Sequence, residues 1–404
     1  MREFQTLLYY EIKKILIRKS TWITFGIFTA VTIFLMGVVF FGSTYVEGEF
    51  LETHAEGFAV EKENGKKLSG KRIDEELLRE VQNAYKNIAN EKDKGYMLTE
   101  EYQTNIRRYS QVYSFIRELC GIAGINPLTV SEEEFYQART EFLKEQWENY
   151  HLTEKEKEYW QAKEEVLEKP FIFQYSMAYN DLVDMHGLYM ICLTVTFMLA
   201  ICLGGVFTEE HERRTDQLIL CSRLGRGRLY FAKILAGSLL SFASGLFFFL
   251  LLLAENFIVY GTEGFTAAIQ LFMPMYSYPI SIGAVFFILS GILLLSCVFT
   301  GIFIMALSEL IHSKIGTMAV IIVILFAARL VPVPADYRIL SQVWNYIPIN
   351  LIYLNQGFTD VRLVSLFGMQ FTSWQFAPIL YIGLSVIFIW IGKRAYCRYQ
   401  VKGR

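Results

Sequence analysis

Six stretches of this chain run almost free of charge for long enough to cross a lipid bilayer, and charged blocks separate them. They lie at about Thr21–Phe41, Leu188–Val206, Phe231–Ala254, Ser281–Leu307, Gly316–Val333 and Pro378–Ile391. A hydrocarbon core about 30 Å thick needs roughly 20 apolar residues of a helix that rises ~1.5 Å per residue. Lipid offers no partner to a backbone amide, so a single segment crosses it only as a helix. The pattern predicts an all-α integral membrane protein with six transmembrane helices.

The first span could be confused with a secretory signal. It is too long for an apolar region of about 7–15 residues, and no small-x-small cleavage site follows. It reads as a retained anchor over 21–42, with Trp22 at an interface. Before it, residues 1–20 place Phe4, Leu8, Ile12 and Ile15 on one helical stripe, with Arg2, Glu11, Lys13, Lys14 and Arg18 elsewhere. This predicts an N-terminal amphipathic helix at the membrane surface; the alternative is a plain flank of the first span.

Residues 43–186 are of another composition, rich in Glu and Lys and without long apolar runs. Spaced apolar residues near 72–92, 98–120, 131–149 and 153–168 predict amphipathic helices. Of the six cysteines only Cys120 lies here, so this domain must fold without an internal disulfide. The net charge of −2 gives no footing for nucleic acid.

Basic residues fix the expected orientation. Arg2, Lys13, Lys14, Arg18 and Lys19 flank the first span, and Arg213, Arg214, Arg223, Arg226 and Arg228 lie between the second and third. Lys393, Arg394, Arg398, Lys402 and Arg404 follow the last. Short loops rich in Lys and Arg stay in the cytoplasm. Both termini are therefore expected inside, with 43–186 an extracellular, mostly helical domain between helices 1 and 2. Residues 187–404 then hold helices 2–6, a cytoplasmic loop over 207–230, and short outer helices over 334–376.

That loop opens with Glu209, Glu210, Glu212 and Asp216 and ends in arginines, with Leu218 and Leu220 between. Acids first and cations last suit a helix dipole. At these residues the chain resembles the permease subunits of the type-2 ABC exporter family. Glu210, Glu212 and Thr215 match the acidic pair and threonine of that family's motif, and Leu218 and Leu220 approximate its leucine pair. Ser222, Arg226 and Lys233 match its last element, with the seven-residue Arg-to-Lys interval intact. Arg214 and Arg223 stand where the family usually carries Gly and Pro. A large insert between the first two spans is similar to a subset of these permeases from Gram-positive bacteria.

The resemblance implies a transmembrane subunit in a bacterial plasma membrane, paired with a second permease chain and energised by separate cytoplasmic ATP-binding subunits. These would dock on a coupling helix at 208–228, through Glu210, Glu212, Thr215, Leu218, Arg226 and Lys233. It implies export of a peptide, lipid or other amphipathic compound, with ATP and Mg²⁺ used by the partner and no cofactor bound by this chain. A different class of reading is a membrane-anchored sensor or assembly protein whose extracellular domain is the working part.

Several motifs fail on inspection. Gly65–Lys71 reads G-x-x-x-x-G-K, but Arg72 stands where a P-loop needs the Ser or Thr hydroxyl for Mg²⁺. No catalytic group and no ATPase site is expected. The five histidines are scattered without paired-ligand spacing, so no metal site is expected either. Gly237, Ser241 and Gly245 form a small-xxx-small stripe on the third span, a helix-packing candidate. Glu255, Arg329 and Glu309 fall near span ends, where snorkelling to the interface is the favoured account.

Overall fold

The computed structural model describes residues 2–88, 94–212 and 227–398; the side chains of Met36, His211 and Glu212 are outside this description. The chain opens with α1 (Arg2–Ile17) and, after a break at extended Arg18, α2 (Lys19–Phe41). α2 is the least covered of the long apolar helices, with Ile27, Phe34 and Phe41 all exposed.

A hairpin follows, β1 (Ser43–Val46) against β2 (Glu49–Thr53), which sequence patterning did not anticipate. Its two-residue turn, Glu47-Gly48, has positive φ at both positions, the geometry that matches strand twist and favours Gly second. Thr53 then starts α3 (His54–Leu68) with a reciprocal capping box to Glu56. The G-x-x-x-x-G-K run lies at the end of this helix and in the turn behind it, with no strand before it.

The other main elements of the described 43–186 domain are helices. α4 (Glu75–Tyr85), α5 (Ser110–Ala123), α6 (Glu132–Asn149) and α7 (Glu154–Glu165) lie within or near the expected segments. Ile73, Leu78, Val112, Ile116, Leu119 and Phe135 are fully buried in a core separate from that of the spans. The ends of α6 and α7 belong to the other core: Leu143, Trp147 and Trp160 pack with the membrane part.

The second long apolar stretch, Met177–Glu210, holds α8 (Met177–Val183), α9 (Leu188–Leu203) and the start of α10 (Thr208–Glu212). α11 (Arg228–Tyr260) has 33 residues, which makes about 50 Å, longer than a bilayer core. α12 (Ile282–Ile311) is capped by the Ser281 hydroxyl and closed by His312 in the left-handed region. α13 (Lys314–Leu330) has 17 residues, about 26 Å. It stops just before Pro332, whose missing N–H and ring end the helix. Among the described residues five helical stretches are thus long and apolar enough to span, and α13 falls short of that length.

Between α13 and the last span lie α14 (Arg338–Asn345), α15 (Pro348–Ile352) and a second hairpin, β3 (Val364–Leu366) with β4 (Met369–Phe371). α16 (Ser373–Arg398) then runs well past both ends of the expected span. α12 is the central helix, packed against α9, α11 and α16. Glu309 near its end is fully buried, which overturns the snorkelling expectation for that residue; Tyr230 and Tyr396 are its neighbours.

The domain is clamped to the membrane part by polar contacts. Trp160 donates its ring N–H to the Val361 carbonyl at 2.5 Å. Buried Glu156 takes Arg338 and the Leu363 amide, the latter at 2.8 Å. Arg139, fully buried, pairs with Glu164 and donates to the Pro274 carbonyl at 2.6 Å. Burial pushes the Glu156 carboxyl up, but Arg338, Thr153 and the Leu363 amide outweigh it and hold it below the usual carboxylate range.

Candidate functional site

The polar groups that gather at depth do so where α10 leaves α9 and where α11 begins. Lys233 lies near the start of α11 and is 2% exposed. Its Nζ is 2.7 Å from Glu210 Oε1 and 3.3 Å from Glu11 Oε2. It also donates to the Val206 carbonyl at 3.1 Å and stands over the Phe207 ring. Lys14 adds a second cation, 2.5 Å from Glu11 and 3.6 Å from Glu210. Lys233 and the two carboxylates thus share a buried cluster, with the half-exposed Lys14 supplying the second positive charge at its rim, so that the charges taken from water are paired.

Three elements meet here because each contributes a matched face. On α1, Ile15 is buried and Leu8 and Ile12 pack against the core, so the apolar stripe faces protein, and Tyr9, Tyr10 and Ile17 are exposed. Glu11 is three residues after Leu8 and four before Ile15, which places it on that same buried face. Sequence reasoning grouped Glu11 with the polar side; the interruption of an apolar stripe by one acid was the signal to read. Arg18, behind α1, pairs with Glu209 at 2.9 Å and reaches the Cys202 carbonyl at 3.4 Å. Arg228 pairs with Glu3 at 2.8 Å, a more exposed contact. α1 is therefore tied to both ends of the connection between α9 and α11.

Below the cluster, aromatic rings close the space. Phe207, Tyr230 and Tyr396 are mutual neighbours at 5.5 to 5.7 Å between centroids. The Tyr230 hydroxyl donates to the Ile389 carbonyl at 2.9 Å, joining α11 to α16. The Ser308 hydroxyl donates to the Gly204 carbonyl at 2.8 Å, fixing the end of α9 to α12.

Of the residues singled out by sequence, Glu210 and Lys233 come together in this cluster. Thr215, Leu218, Arg226 and the Glu212 side chain lie outside the described residues. Gly237, Ser241 and Gly245 face α12 in antiparallel register. A Cβ at Gly237 would stand 2.3 Å from Met305 Sδ, and one at Gly245 would stand 3.0 Å from Cys297 Sγ. Gly301 on α12 answers Ser241, whose Oγ would be 2.0 Å from a Cβ there. Small residues on both helices let these backbones approach. No group of three or more His, Cys, Asp or Glu able to hold a metal occurs among the described residues.

A family model described as ABC-2 family transporter protein matches residues 5–359. No curated protein and no solved structure matches the chain.

Proposed function

The chain belongs to the ABC-2 family of transporter proteins, and from that premise we propose that it is the membrane permease subunit of an ATP-driven exporter of the Gram-positive type. It crosses the membrane six times, α13 being the fifth span, with both termini in the cytoplasm and the 43–186 domain outside. Two permease chains pair and bind two ATP-binding subunits, which dock on the 208–228 connection. The exported compound is amphipathic, a peptide or a lipid.

The observation that carries this reading is the salt-bridge cluster of Glu11, Glu210 and Lys233. Glu210 near the start of the 208–228 connection and Lys233 behind its end are bonded to each other and to α1. A force applied by a cytoplasmic partner at 208–228 would reach α9, α11 and α1 together. For ATP to do work, its binding must favour one arrangement of these helices over another. The buried cluster supports such a role because it holds the three helix ends as one unit.

The test is a gentle-detergent pull-down of the tagged chain from its native membranes, with mass spectrometry of what accompanies it. The expected result is a stoichiometric ATP-binding subunit that is lost when Glu212 and Arg226 are both charge-reversed, with membrane insertion and the protein's level unchanged. Full transport by that double variant counts against the reading. An intact membrane protein with no ATPase partner would shift the weight to a sensor built around the outer domain.

A further inference from the structure

An apolar cavity of about 410 Å³ lies among α9, α12, α13 and α16, roofed by the segment that joins α14 to α15. That volume falls within the range of small-ligand pockets, about 300–1,000 Å³. Leu380, Leu384 and Phe388 of α16 run down one wall, a depth of about 12 Å at the helical rise. Phe303 and Phe388 also line it, and their ring centroids lie 4.9 Å apart. The cavity is partly open. α13 and α16 scarcely touch among the described residues, and Val343 of the roof is 61% exposed, which places the mouth between these two helices.

Two properties narrow the occupant. The wall is almost wholly apolar, so water gains no partners inside. The flanking outer faces of α13 and α16, with Val323, Phe326, Ile382 and Val386 exposed, are those of lipid-facing helices. The second property is an orphan. Tyr346 lines the cavity, and its hydroxyl is fully enclosed with no hydrogen-bond partner among the described residues, so that a turn of the ring is what brings it to an occupant. A buried tyrosine O–H ordinarily finds one. The backbone of the same residue is fixed, since its carbonyl accepts from the Tyr381 hydroxyl at 3.0 Å. An apolar shaft with one unused donor at the roof fits a single hydrocarbon chain that ends in an acceptor.

We propose that this cavity holds one acyl chain of a membrane lipid, which enters between α13 and α16 with its tail toward Phe303 and Phe388 and its ester carbonyl accepting from the Tyr346 hydroxyl. The site is distinct from the charge cluster and needs no ATP. It rests on the reading of α13 as a span. Because lipid tails are as apolar as the wall, transfer from the bilayer adds no hydrophobic gain, and the hydroxyl supplies the selectivity.

The full chain is reconstituted in phosphatidylglycerol vesicles in which a small share of the lipid carries a diazirine near the end of one acyl chain. After irradiation, adducts are mapped by mass spectrometry. Adducts are expected at Phe303 and Phe388, besides those at lipid-facing Phe34 of α2 and Val323 of α13. In Thr300→Phe and Leu384→Trp, either of which fills the shaft, the inner adducts fall about tenfold, while Phe34 and Val323 are labelled as before. An ether-linked probe, which lacks the carbonyl, labels the interior less than the ester does, and Tyr346→Phe removes that difference. Inner labelling indifferent to both filling variants overturns the proposal. So does its absence while Val323 is labelled, which would mean that something other than lipid, such as a second copy of the chain, closes the cavity. Labelling at Phe34 with none at Val323 takes α13 out of the bilayer and overturns the span reading together with the proposal.

Discussion

Glu210 and Lys233 stand at the two ends of the same connection, and their charged atoms lie 2.7 Å apart. Glu11, from the first helix of the chain, completes the contact from the other side of the ammonium group. Removing the lysine leaves two buried carboxylates with only the half-exposed Lys14 between them. Lys233→Ala is expected to lower stability by about 3–5 kcal/mol, the cost of breaking rather than replacing a buried pair. Glu210→Gln together with Lys233→Ala should cost less than the sum of the single changes, because the double variant keeps only the Glu11 carboxylate, which Lys14 still pairs. Thermal unfolding in detergent, with all four proteins measured side by side, checks this.

The close approach of α11 to α12 gives a sharper steric prediction. A side chain at Gly301 must meet Ser241, whereas a Cβ at Gly291, on the same helix, meets nothing within 4 Å. Gly301→Val should destabilise by about 1–3 kcal/mol or more through overpacking. Gly291→Ala should stay within about 0.5 kcal/mol of the parent. Unfolding midpoints of the two variants distinguish a real helix–helix contact from a general aversion of α12 to substitution.

How much of this could be read from the residues follows from what each signal measures. Charge-free runs report the cost of charge in hydrocarbon, so α2, α9, α11 and α12 were legible, as was the class of the chain. Their ends were not: Tyr260 and Ser373 lie in helices that continue beyond the apolar stretch, because hydrogen bonding within a helix is indifferent to where the lipid stops. Glu210 and Lys233 were each legible as motif positions, Lys233 through its interval from Arg226, but their pairing was not, and Glu11 was hidden, since the burial of one acid depends on a cation contributed from far along the chain. The hairpin at Phe367-Gly368 was equally hidden. Its strands are three residues each, too short to show a period of two.

Acid should loosen the seat of the 43–186 domain. The folded Glu156 carboxyl sits below its ordinary value of 4.5. A carboxylate lowered in this way contributes stability that is fully present above the unfolded value and is lost as pH falls through the folded one. Below pH 4.5 the Leu363 amide, which donates to Glu156 Oε1, should exchange with deuterium faster than intrinsic acid rates explain. Glu156→Gln should raise exchange there at neutral pH and remove the acid-dependent part. A wild-type amide whose protection is flat through that window would contradict the assignment.

The ring nitrogen of Trp160 offers a local check on the same junction. Trp160→Phe keeps most of the buried ring but leaves the Val361 carbonyl without its donor. About 1–3 kcal/mol should be lost. The loss should appear as faster cleavage by an added protease between α15 and β3, with the buried helix α5 still protected.

The 33 residues of α11 form one uninterrupted rod. Near one end is Lys233; at the other, Tyr260 packs on Phe58 of the domain with centroids 4.9 Å apart, and its carbonyl accepts from the Tyr175 hydroxyl at 3.3 Å. About 40 Å of helix separates the two. Over such a lever arm, a tilt of about 5° at the charged end displaces the far tip by about 3.5 Å, roughly the thickness of an aromatic ring. The amplitude of any movement of the domain is therefore set by the length of a single helix, and deleting two residues from the middle of α11 would turn its two ends by about 200° relative to each other without removing a single residue of the charge cluster.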